Sequence, residues 1–386
     1  MANLEYLKAK TAEYAVILSR ISKELQALGG QKEEHQWLVA YLQGQLKDAQ
    51  TLHKRLQSIV KIGHPRLLAR ALPIVHDIEF STFIINYHYL PALQKEGQAD
   101  SALRKLLLLS AERCGLFWLK DIAVHLDGPL GTVPTPPEAP LIIAPPQQAA
   151  SLLEMPGLYH ELGHDVFQNF NEIANNLDTE VKFHFNEFRQ KHGPISPKRE
   201  IERNRKFDEA LQYWNTDRLN EIFCDIFGTF ACGVAHYSSC IDMGLRSGQN
   251  PYEVDFGDEH PPLSARVYAC FKALTPAQQA ENTVTTARHA WENYTKDYQQ
   301  EYDFKLVCAE PLIERIVEAA ISNIQDLLPN SQRYEVSLPN NSEVEQIPLD
   351  ASLEDILNRA ATILLSCPDC YPDWEAKAFN VLGFYP

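Results

Sequence analysis

The stretch Leu158-Tyr159-His160-Glu161-Leu162-Gly163-His164-Asp165-Val166-Phe167 carries an HExxH pattern inside an apolar frame that Leu152, Leu153 and Phe170 continue on either side. The frame predicts one helix from Leu152 to about Asn175. Residues four apart on a helix lie one above the other, so His160 and His164 share a face and can ligate one Zn2+ ion. Glu161 stands between them, where it can take a proton from a water that the ion polarises. Unpaired ions in a buried helix cost several kcal/mol each. Metal binding satisfies the His-Glu-His set; a solvated surface helix fits the flanking residues poorly.

Such a site needs a third protein ligand and an open position. The segment Asn220-Glu221-Ile222-Phe223-Cys224-Asp225 offers one on a second predicted helix, Asn215 to Cys240, with caps available at Asn215 or Asp217. Glu221 would ligate the ion, and Asp225, one turn on, would hydrogen-bond a ligand histidine. Arg218 is the ordinary structural partner to weigh for Glu221. His184, in an alternating polar stretch, is the competing ligand. His260, after a polar loop and before Pro261-Pro262, is a candidate to stabilise an oxyanion. Arg266 could do the same, or pair with Asp225 or Glu221. His236 and Tyr237, at the end of the Glu221 helix, form a further candidate donor pair.

HELGH at 160–164 with a later Glu221-Ile222-Phe223-Cys224-Asp225 resembles the gluzincin class of zinc metallopeptidases over roughly residues 120 to 270. The resemblance implies His160, His164 and Glu221 as zinc ligands and Glu161 as general base. It also implies a zincin-like catalytic core in which a sheet edge strand near Pro140–Ala144 holds a peptide or protein substrate. The metzincin pattern requires a glycine at 167 and a histidine at 170, and both positions are Phe.

Outward from the motif, Asp121–Leu126 and Pro140–Ala144 read as short strands joined by an irregular Gly- and Pro-rich loop. The stretch Arg189–Arg205 reads as a linker or exposed loop. Helices are expected from Leu263, over 283–303 and 309–327, and from Ser352 to Ser366, with a strand pair around Asn340-Asn341. At the N-terminus, Leu4, Leu7, Thr11, Tyr14, Leu18, Ile21, Leu25 and Leu28 alternate steps of three and four. That is a heptad seam. Gly29-Gly30 interrupts it, and a second seam runs through Leu38, Leu42, Ala49, Leu52, Leu56 and Ile59. The expected fold is therefore mainly α with a small β element. An N-terminal antiparallel coiled-coil-like hairpin spans 1–62, a mainly helical metallopeptidase domain 63–330 and an α/β extension 331–386.

The chain has 386 residues, 45 % of them hydrophobic, which suits a packed core. Asp and Glu outnumber Lys and Arg by 51 to 35, a net charge of -16 that opposes nucleic acid and anionic membrane. Met1–Lys10 lacks an apolar signal region, and no apolar run approaches the roughly 18 residues of a spanning helix, so a cytoplasmic protein is expected. The eight cysteines read as mostly reduced core thiols. Cys367-Pro368-Asp369-Cys370 has no second CxxC to make a zinc ribbon. The functional expectation is a zinc metallopeptidase. The alternatives are a zinc hydrolase of non-peptide amides, or a helical scaffold whose hairpin binds a partner and whose zinc site is structural or inactive.

Overall fold

The apolar seam of the first sixty residues forms two helices, α1 (Leu4–Gly29) and α2 (Gln36–Ile62). The computed structural model of the chain describes residues 4–29, 35–133, 137–191, 197–335, 346–348 and 351–384. The two helices run antiparallel: the Gln43 amide donates to the Leu25 carbonyl at 3.4 Å, and His53 Nε2 donates to the Thr11 carbonyl at 2.8 Å. Leu7, Leu18, Ile21 and Leu25 on α1 and Leu38, Leu42, Leu46 and Leu56 on α2 are buried. Each such side chain contributes about 1.5–3 kcal/mol. Their cluster continues across residue 62 into Ile74, Val75 and Ile78 of the helix Ala71–Phe83, then into Tyr89, Ala123 and Leu141.

Ala123 and Leu141 belong to the one sheet of the described residues, β1 (Ala123–His125), β2 (Gly131–Val133) and β3 (Leu141–Ile143), in the order β1-β3-β2. β1 pairs parallel to β3 with Val124 opposite Ile142; β2 pairs antiparallel with Thr132 opposite Ile142. This corrects two expectations. The Gly- and Pro-rich stretch contains a strand, because Thr132-Val133 supplies a β-branched run too short to register as alternation. And β3 is the central strand, so the open edge nearest the motif belongs to β2. Two contacts lock the sheet to the N-terminal cluster. The Tyr89 hydroxyl donates to the Ala139 carbonyl at 2.9 Å, and Asp121 meets both His35 and Arg104.

The main core forms around the pairing of the motif helix Gly157–Asn169 with the carboxylate helix Thr216–Cys232. At the crossing, a Cβ on Gly163 would stand 2.9 Å from the Cα of Cys224, so the backbones approach as closely as they do only because position 163 has no side chain.

Both motif-bearing helices are shorter than expected. The first starts after Pro156 and stops at Phe170, whose backbone is extended; Asn171–Lys191 is a separate helix. The second ends at Gly233, φ 66°, where a Cβ would also strike the Tyr334 ring at 2.7 Å; Val234–Ser247 then follows as a new helix. The expected linker at 189–205 is largely helical in its described part, because Pro197 opens the helix Pro197–Tyr213 and proline is tolerated in a first turn. The strand pair expected around Asn340-Asn341 lies outside the described residues. Cys367 and Cys370 form a disulfide, and the other six cysteines are free and buried. No helix among the described residues is long and apolar enough to cross a membrane.

Candidate metal centre

The Asn215 side chain caps the carboxylate helix by accepting from the Arg218 amide at 3.0 Å. From that start, Asn220, Glu221, Cys224 and Asp225 turn toward His160 and His164. The imidazole rings stand 4.9 Å apart, nearly perpendicular at 84°. Each ring has one nitrogen held by the opposite helix. His160 Nδ1 lies 3.0 Å from Asp225 Oδ1, and His164 Nδ1 lies 3.2 Å from Asn220 Oδ1. An imidazole that gives its Nδ1 proton to such an acceptor keeps its lone pair on Nε2. Both Nε2 atoms face Glu221, at 3.2 Å from His160 and 3.6 Å from His164.

Glu221 Oε2 is buried and accepts no hydrogen bond of acceptable geometry. Arg218, the structural partner that could have claimed Glu221, is spent elsewhere. It donates to the carbonyls of Tyr213, Asp255 and Phe256 and lies over the Tyr213 ring at 4.2 Å. His160 Nε2 faces the orphaned Oε2 and His164 Nε2 faces Oε1 of the same carboxylate, an arrangement a cation could partner.

The charges of the pocket point the same way. Burial works against a charge on His160, but the neighbouring Asp225 and Glu221 carboxylates outweigh it and push the imidazole up to about 10. Burial, aided by the neighbouring His160 charge, holds His164 below the usual imidazole range. Burial would likewise raise the Asp225 carboxyl. The Arg266 guanidinium overrides it with a two-pronged contact at 2.6 and 2.9 Å and holds the group well below the carboxylate range. Arg266 thus neutralises Asp225, and the Glu221 carboxylate faces the two imidazoles. That is a position a divalent ion could take.

Glu161 is buried, and Thr132 of β2 donates its hydroxyl to Glu161 Oε2 at 2.7 Å. The other carboxylate oxygen accepts no side-chain hydrogen bond among the described residues. His260 also reaches the cluster. Its Nε2 lies 3.4 Å from Glu221 Oε2, its Nδ1 lies 2.9 Å from Asp258, and half of its side chain is exposed.

Several candidates do not converge here. His184 packs on Phe185 and Phe188 and joins no group of ligand atoms among the described residues. His236 and Tyr237 lie beyond the Gly233 break, which swings them off the Glu221 face. His236 donates Nδ1–H to the Pro156 carbonyl at 3.0 Å, and Tyr237 packs on Phe271 in a separate cluster. Arg266 is a partner of Asp225 rather than a donor to a substrate.

Three neighbours were not found from the sequence. Asn220 sits inside the quoted segment, and its spacing of four from Cys224 was the available signal. Thr132 had none, being one residue in a Gly- and Pro-rich stretch. Cys224 joins His160 and His164 in a group whose ligand atoms lie within 4.8 Å of one another. Its Sγ faces His164 Nδ1 at 3.3 Å, and burial holds the thiol protonated well above its usual range. Glu221 thus faces the two Nε2 atoms, while Cys224 faces His164 Nδ1. Comparison of the chain with family models, with curated proteins and with solved structures finds no match.

Proposed function

We propose that the chain is a zinc-dependent hydrolase of peptide bonds, built on a zincin-like arrangement in which His160, His164 and Glu221 hold the ion. The observation that carries this reading is the pair of imidazoles with both Nδ1 atoms anchored and both Nε2 atoms aimed at one orphaned carboxylate. When bound, Zn2+ supplies a Lewis acid that polarises water and a carbonyl oxygen.

The protein's own groups do the rest. Thr132 fixes one oxygen of Glu161, so the other is oriented to take a proton from water and return it to the leaving nitrogen. Asp225, clamped by Arg266, keeps the His160 ring in one tautomer and one orientation. His260 lies between the carboxylates of Asp258 and Glu221, where an Nε2–H can donate a hydrogen bond to an oxyanion. The open edge of β2, beside Thr132, can accept an extended peptide as a further strand.

Glu161→Gln tests the reading. Zinc content stays at the wild-type level while hydrolysis of a peptide library falls by about 10²–10⁴-fold. Full activity in that variant refutes Glu161 as the base.

One observation favours a second reading, in which the ion is structural and the helical hairpin is the working part. His260 Nε2 is close enough to Glu221 to be a fourth ligand, and a fourth protein ligand closes a zinc site to water. The exposure of half the His260 side chain argues for the open site. Hydrolysis of a non-peptide amide uses the same groups, and the library digest separates it from peptidase action.

A further inference from the structure

Behind the first centre lies a second group of donors. His236 and Cys240 stand one turn apart on the helix Val234–Ser247, and Cys270 comes from the neighbouring helix Leu263–Ala273. Their donor atoms and that of Asp225 all lie within 4.8 Å of one another, and all four residues are buried. The His236 tautomer is fixed. Its Nδ1–H goes to the Pro156 carbonyl, which leaves the Nε2 lone pair facing Cys240 Sγ at 3.6 Å. Cys240 Sγ is in turn 3.6 Å from Cys270 Sγ.

Those separations suit a tetrahedral ion. Bonds of ~2.3 Å to sulfur and ~2.0 Å to nitrogen place two sulfurs about 3.8 Å apart, and a sulfur and a nitrogen about 3.5 Å apart. Two thiols with an imidazole are soft donors that select zinc or a similar thiophilic cation. Asp225 completes the set. Oδ1 accepts from His160 and Arg266 and Oδ2 accepts from Arg266 Nε, which leaves one lone pair of Oδ2 uncommitted.

We propose that His236, Cys240 and Cys270, with Asp225 as fourth donor, form a closed structural site for a thiophilic divalent cation. Binding exchanges the two thiol protons, released to solvent, for two metal–sulfur bonds. The ion joins the helices Val234–Ser247 and Leu263–Ala273 and fixes Asp225, which orients His160 from its other side. The site does not require that the first centre be catalytic.

Cobalt(II) is the probe. Full-length protein carrying Cys367→Ser and Cys370→Ser is stripped of metal and titrated with Co2+ alone. The expected result is a sulfur-to-cobalt charge-transfer band that disappears in Cys240→Ser and in Cys270→Ser. The band persists in Cys224→Ser, and also in Glu221→Ala, which weakens the first centre. Failure of the first centre would appear separately, as cobalt uptake that Glu221→Ala leaves unaltered. Absence of the band in folded, cobalt-loaded protein overturns the proposal, and so does a band that survives both substitutions or follows Cys224. If the serine variants do not fold, the spectrum of the parent protein still decides, since a parent without the band refutes the site.

Discussion

Glu221 Oε2 lies 3.2 Å from His160 Nε2 and 3.4 Å from His260 Nε2, so the same carboxylate touches a proposed ligand and a proposed oxyanion donor. The two roles of His260 separate on replacement. In His260→Ala, kcat falls by about 10²–10³-fold while zinc stays bound, as for loss of one oxyanion donor. Loss of zinc with it would instead make His260 a ligand of a closed site, and metal analysis beside the rate assay distinguishes the two. The residues legible from sequence were those whose chemistry is expensive where they sit. His160, Glu161 and His164 have ligand spacing, and Glu221 and Asp225 are acids on an otherwise apolar helix. Asn220 and Thr132 are neutral and common on any surface. Only the crossing of the helices and the approach of β2 give them their partners.

At the scale of elements, the site depends on how closely the motif and carboxylate helices approach. A methyl group at position 163 has nowhere to go, because it would stand 2.9 Å from the Cys224 Cα and 3.1 Å from its Cβ. Gly163→Ala is expected to cost about 1–3 kcal/mol, as overpacking of a close contact does. Because the helices must part to admit the methyl, it should also weaken zinc binding. Denaturant unfolding checks the first effect and zinc titration the second; unchanged stability would mean that the crossing tolerates separation. Helix identity was legible from periodicity, but helix ends were not. Phe170 continues the apolar pattern while its backbone is extended. Gly233 breaks a pattern that composition alone carries through to Cys240, and that break moves His236 and Tyr237 away from Glu221 and toward the second cluster.

Across the whole molecule, the N-terminal helices reach the site through the sheet. His35, at the start of α2, is buried between Asp121 at 2.9 Å and Glu96 at 3.0 Å, and Arg104 holds the other oxygen of Asp121. Burial opposes the His35 charge, but the two carboxylates outweigh it and raise the group from 6.5 to about 9. A raised value means that the folded chain holds a proton the unfolded chain releases. The stabilisation is therefore complete below pH 6.5 and is lost as pH rises through about 9. Thermal melts of His35→Gln should show a smaller loss of stability than wild type across that window; parallel curves would mean that His35 does not control it. The seams of α1 and α2 were readable as a heptad pattern. Their closure onto Ile74, Tyr89 and Leu141 was not, because that contact depends on long-range docking and not on local period. The most direct measurement of the central claim is anomalous diffraction at the zinc edge from crystals of the zinc-loaded chain. The account predicts a peak bonded to the Nε2 atoms of both His160 and His164 and to the Glu221 carboxylate. Zinc-loaded crystals with no peak among those three side chains would contradict it.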